Sequence, residues 1–106
     1  MDNFRVIYKI LKYLEAALDC GEVDPEAFSS ARLKVSDERI EQLLIMMQDE
    51  GYICGLVVVK TLGDNRRHIA EPIYPSITIR GLEYLEENSL MKKAANAAKG
   101  IKDFIR

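Results

Sequence analysis

Residues 36–71, SDERIEQLLIMMQDEGYICGLVVVKTLGDNRRHIAE, contain the pattern that decides the fold. The first part predicts a helix, because Ser36 can cap it and apolar residues then recur at steps of three and four. Gly51 is the residue type that ends a helix. The residues expected to share its buried face are Ile40, Leu43, Leu44 and Met47.

The second part of this stretch predicts a β-hairpin. Residues 52–60 are apolar and β-branched, which favours a strand over a helix. Residues 61–65 are a cluster of turn formers, and residues 66–71 would be the return strand. Pro72 and Pro75 then exclude a central strand in the segment that follows.

Helices are predicted on both sides of this stretch. Residues 3–19 form an amphipathic helix that ends before Gly21, and a second helix runs from Asp24 to about residue 31. Residues 32–35 are either an extended link or a one-bridge strand. The first helix is expected to bury one stripe of residues: Phe4, Ile7, Leu11, Leu14 and Leu18.

Two more helices follow the hairpin. Thr78 caps one over residues 79–88, and a last amphipathic helix covers residues 89–106. The order predicts an α+β, mostly helical fold, a winged helix-turn-helix of three helices and a β-hairpin wing with extra C-terminal helices. Residues 1–88 would be the winged-helix domain, and residues 89–106 would pack on it or on a second chain.

Three stretches resemble the YjcQ-like family, small winged-helix proteins of bacteria and their phages. They are EGYICG at residues 50–55, ITIRGLEYLEEN at residues 77–88 and KGIKDFIR at residues 99–106. The resemblance extends from about residue 4 to the end of the chain. It implies the winged-helix fold and a phage or prophage origin, and it brings no catalytic or ligand-binding residues with it.

Composition excludes several classes of protein. The chain has 106 residues, 30% of them charged, with a net charge of −2, which is typical of one globular domain. It shows no secretory signal and no apolar run long enough for a membrane span, so we expect a cytoplasmic protein. Cys20 and Cys54 are expected to be buried and unbridged.

Catalysis has little support in this sequence. His68 is the one histidine, and no spacing of cysteine and histidine is typical of a metal site. Phosphate-binding glycine loops and nucleophile motifs are missing as well. We therefore expect no enzymatic activity, no cofactor and no metal. His68 itself would be a partly exposed strand residue or a phosphate contact.

Binding of double-stranded DNA is the first functional hypothesis, with the protein acting as a transcriptional regulator. The third helix would offer Arg39 and Gln42 to base edges. The wing would hold phosphates through a cationic group: Lys60, Arg66, Arg67 and His68. The same wing charges also suit a hairpin edge that is merely protected by charge. Against DNA binding, residues 36–51 carry five acids and one arginine.

A protein-interaction module that does not bind nucleic acid is the alternative. Ile45 and Met46 fall on the outer side of the acidic third helix, where they could contact a protein partner. Equally, a C-terminal helix could cover them. Residues 89–106 have a net charge of +4. They would pack on their own domain or form a homodimer rather than bind a membrane.

Overall fold

The computed structural model describes residues 3–63 and 65–88, which form an α+β, mostly helical architecture with two small antiparallel sheets. The first half is helical: α1 (Asn3–Cys20), a 3-10 helix (Pro25–Phe28), α2 (Ser30–Leu33) and α3 (Asp37–Asp49). The strands follow: β1 (Ile53–Cys54), β2 (Val58–Lys60), β3 (Arg67–Ile69) and β4 (Ser76–Ile77). Residues 79–88 are helical and are called α4.

The helix ends lie where the capping residues predict them. The Ser36 hydroxyl accepts a hydrogen bond from the backbone N–H of Arg39 at 3.1 Å and so begins α3. The Thr78 hydroxyl does the same for Gly81 at 3.1 Å in α4. Gly21 follows α1 with a φ of 77°, the left-handed conformation that suits glycine. The predicted boundaries of α1 and α3 and the predicted start of α4 are therefore confirmed to within about two residues.

The prediction of one helix from Asp24 to residue 31 was wrong. The Asp24 side chain begins a 3-10 helix, but Ser29 is extended and divides the segment in two. The Ser29 hydroxyl accepts from the Arg32 N–H at 3.2 Å, so it caps a second short helix. Residues 32 and 33 consequently belong to α2, and only residues 34 and 35 are a link, in which Lys34 adopts a left-handed φ of 60°.

The buried face of α1 also differs from the predicted stripe. Leu11 and Leu14 are buried as expected, but Phe4 is 69% exposed and Leu18 is 60% exposed. Their places in the core are taken by Val6 and Ile10. Two apolar stripes overlap on this helix, and the choice between them depends on what the helix packs against.

The predicted strand over residues 52–60 is interrupted. β1 pairs with β4 and β2 pairs with β3, and residues 55–57 separate the two sheets. At Gly55 a Cβ atom would lie 3.1 Å from the carbonyl oxygen of Tyr74, and φ is 97°, so only glycine fits this crossing without strain. Strand β4 was not predicted. It begins immediately after Pro75, so the prolines do not interrupt it.

One hydrophobic core joins these elements. The predicted stripe of α3 is buried in it together with residues of α1, β1, β3, β4 and α4. Gly81 allows α4 to approach β1 closely, since a Cβ there would lie 2.3 Å from the carbonyl oxygen of Tyr52. Cys20 and Cys54 are free and exposed, which corrects the prediction that they are buried. In the two described ranges, no helix has both the length and the hydropathy to cross a bilayer.

Candidate nucleic-acid interface

Strand β3 lies along α3, and side chains of the helix form hydrogen bonds with the backbone groups on the outer edge of the strand. The register pairs Val59 with His68, and the Ala70 N–H bonds to Val57 across the hairpin. The backbone groups of Arg67 and Ile69 therefore point away from β2. Gln42 Nε2 donates to the Arg67 carbonyl at 2.8 Å. The β2–β3 hairpin, the expected wing, is thus fixed to the helix that was expected to read bases.

Glu41 is the second anchor of the wing. Its Oε2 atom accepts from the Ile69 N–H at 2.9 Å, and its Oε1 atom lies 2.9 Å from His68 Nδ1. Partial burial alone would raise the pKa of the Glu41 carboxyl. The hydrogen bonds from Ile69 and His68 outweigh burial, so the pKa of Glu41 is lowered. The carboxylate is therefore the form that holds the wing.

Asp49 and Arg67 make a third contact between α3 and the wing. Arg67 donates two hydrogen bonds to the carboxylate, the shorter one 2.7 Å from Nη2 to Oδ2. This contact lowers the pKa of Asp49 and raises the pKa of Arg67. Both side chains are about half exposed, so the pair contributes little to stability. Its consequence is positional, because it holds the guanidinium against the helix.

Gln48 of α3 binds the backbone of the segment between β1 and β2 in the same manner. Its amide accepts from the Leu56 N–H at 2.8 Å and donates to the Leu56 carbonyl at 3.1 Å. The Gln48 amide thereby supplies Leu56 with the two backbone hydrogen bonds that a neighbouring strand would otherwise make. Sequence reasoning missed this role and those of Glu41 and Asp49, since it counted these two acids only as repelling phosphate.

The predicted place of Ile45 was wrong. Its side chain is 1% exposed and belongs to the core, so it cannot contact a partner. Helix positions 41, 42, 48 and 49 all touch the hairpin segment, and Ile45 lies among them on the same flank. The hairpin therefore covers a second side of α3 that periodicity alone leaves open. Met46 is 50% exposed, as predicted.

The structure brings most of the predicted DNA-binding residues together. Lys60 lies opposite Arg67 in the hairpin register. Arg66 lies near enough to Glu41 to lower its pKa. Gln42 and His68 join them through the bonds described above. Arg39 lies on the other side of the exposed face of α3, where its Nη1 atom is 3.4 Å from Asn3 Oδ1.

Two other predictions concern residues 89–106 and the binding of a metal ion. The predictions for residues 89–106, including packing on a second chain, lie outside the described residues. Among residues 3–63 and 65–88, no three His, Cys, Asp or Glu side chains form a group that could hold a metal ion.

The comparisons with known proteins identify a family. The YjcQ protein family matches residues 8–104. A relative named Uncharacterized protein YjcQ, from Bacillus subtilis (strain 168), is 32% identical over 107 residues and is covered, like this chain, over 100% of its length. No solved structure matches the chain significantly. The family match spans nearly the whole chain, and the chain therefore belongs to the YjcQ family.

Proposed function

We propose that this chain is a winged-helix protein that binds double-stranded DNA, a small regulator of the phage or prophage type without enzymatic activity. The order of three helices followed by a hairpin supports the winged-helix assignment, with α3 as the recognition helix and β2–β3 as the wing. The resemblance to small winged-helix proteins of bacteria and their phages supports the proposed fold and origin.

The observation that carries the proposal is the attachment of the wing to α3. The hydrogen bond from Gln42 to Arg67 fixes the hairpin at the edge of the exposed helix face. Lys60 and Arg66 are exposed on this hairpin. In this arrangement Lys60 and Arg66 contact phosphates and Arg39 approaches the base edges, while Gln42 holds the wing in place beside them.

The attachment also weakens the electrostatic objection to DNA binding. Five acids on residues 36–51 would repel phosphates if all of them were uncompensated. The Glu41 carboxylate is held by hydrogen bonds with the Ile69 N–H and with His68 and so turns toward the hairpin, and Asp49 is paired with Arg67. The acidity that remains is at the two ends of the helix, at Asp37, Glu38 and Glu50.

The test is fluorescence anisotropy of the full chain with random-sequence duplex DNA at rising salt. We expect micromolar binding that weakens steeply, since each phosphate contact adds about 0.9 to the slope of log K against log salt. Replacing Lys60 and Arg66 by alanine should lower both affinity and slope. The matched control replaces Lys9 and Lys12 of α1. Absence of binding at low salt would refute the proposal.

Exposed Met46 favours a second candidate, the protein-interaction module. An exposed apolar side chain is unhelpful for phosphate binding but suits a protein contact. Met46→Glu should abolish partner binding in this case, while the Lys60 and Arg66 substitutions should not affect it. Ile45 has no part in this version, because its substitution would disturb the core.

A further inference from the structure

An open groove of about 500 Å³ lies beside the base of the wing. It is formed by the 3-10 helix, the first half of α3 and the segment after β3. Its floor is apolar and nearly buried: Phe28, Ile40, Leu44 and Ile69 are each less than a tenth exposed. The apolar surface that an occupant can reach is supplied above this floor by Pro25, which is exposed, and Ile73, which is half-buried.

The rim of the groove is acidic. Asp37, Glu38, Glu41 and Glu71 line it, and none of the described residues that line it is cationic. Glu41 is already bonded to His68 and Ile69. The three other carboxylates are exposed and surround an apolar floor. An occupant of opposite charge with an apolar side fits both properties.

The chain itself contains a segment of this chemistry. Ten cationic and sixteen anionic residues precede residue 89, whereas five cationic residues and one anionic residue follow Asn88. Leu90, Ile101 and Ile105 recur at helical spacing among those cations. Eighteen residues would extend about 27 Å as a helix, longer than α3 at about 20 Å.

We propose that residues 89–106 dock in this groove of their own chain, with their apolar side on Pro25 and Ile73 and their lysines on the acidic rim. The charge division of the chain and the composition of the groove are independent observations that agree. Docking of this kind does not depend on DNA binding, so the two proposals succeed or fail separately.

Carbodiimide cross-linking of the full chain tests the contact directly, because it joins a lysine to a carboxylate that it touches. We expect mass spectrometry to find Lys92, Lys93, Lys99 or Lys102 joined to Asp37, Glu38 or Glu71. Cross-linking an equal mixture of ¹⁵N-labelled and unlabelled protein identifies the copy that supplies the segment. We expect links within one copy, and links found only between copies would overturn docking of the chain's own segment. Cross-links of these lysines only to acids outside the groove would overturn the proposal.

Methyl NMR gives a second readout that does not depend on chemical trapping. Replacing the four lysines at residues 92–102 by glutamine should shift the methyl signals of Ile40, Ile69 and Ile73, which line the groove. The methyl of Ile10 in α1 should not move. The matched control replaces Lys9 and Lys12. Unchanged signals from the groove isoleucines would contradict docking even where the variant folds normally.

Discussion

Removal of the Glu41 carboxylate should loosen the wing by a measurable amount. In Glu41→Ala the buried Ile69 residue loses the acceptor of its N–H, which costs about 1–3 kcal/mol. The partly exposed pair with His68 adds about 0.2–1 kcal/mol. We expect the free energy of unfolding to fall by about 2 kcal/mol in all, and Tm by about 10 °C for a domain of this size.

The isosteric variant Glu41→Gln separates charge from hydrogen bonding. Its amide oxygen can still accept from Ile69, so only about 0.5–1 kcal/mol should be lost at pH 7, because a bond to a neutral acceptor is weaker. The folded-state pKa of Glu41 lies below its usual 4.5. The stability that depends on the Glu41 charge is therefore fully present above about pH 4.5, the usual pKa of the group, and is lost as the pH falls through the lower pKa of the folded state.

Urea unfolding of the wild type and both variants at pH 7 and at about pH 3 measures these differences. The deficit of Glu41→Gln should be smaller at the lower pH, because the wild-type carboxylate loses its charge as the pH falls through its folded-state pKa. A deficit of equal size at both values would refute the charge argument. An unchanged Tm for Glu41→Ala would show that the wing is not held at this point.

Further substitutions test the packing and the charges of the same region. In urea unfolding, Ile45→Ala should lower the free energy of unfolding by about 2–5 kcal/mol and Met46→Ala by less than about 1 kcal/mol. Equal losses would contradict the finding that Ile45 is buried and Met46 is exposed. Gly81→Ala should lower Tm strongly, by about 10 °C or more, because its Cβ would clash with the Tyr52 carbonyl; an unchanged Tm would show that α4 can move away. Asp49→Asn should strengthen DNA binding in the anisotropy assay and steepen its salt slope, since it removes a negative charge and releases a guanidinium; weaker binding would contradict the proposed interface.

Local chemistry explains which parts of the fold were predictable. Ser36 and Thr78 act on backbone groups three residues away, so their helix starts could be predicted from sequence. The α3 stripe was predictable as well, because its apolar residues recur at helical spacing. The face of α1 and the burial of Ile45 depend on residues distant in sequence, which periodicity does not contain.

The sequence predicts which charged residues the candidate site contains, but not which of them pair with one another. The sequence places the cations of the wing and the acids of the third helix in separate elements. Only the fold shows that Arg67 pairs with Asp49 and that His68 meets Glu41. Ion pairs between elements depend on the register of the hairpin against the helix, and no short pattern specifies that register.

The β-structure is divided into four strands of only two or three residues each, and this has a consequence for behaviour at high concentration. Growth of intermolecular β-structure needs a long, flat strand edge with unpaired backbone groups. Here the edge of β3 is occupied by Gln42 and Glu41, and the exposed edge of β2 is three residues long. The protein can therefore keep a valine-rich strand at its surface while offering little template for amyloid-like assembly.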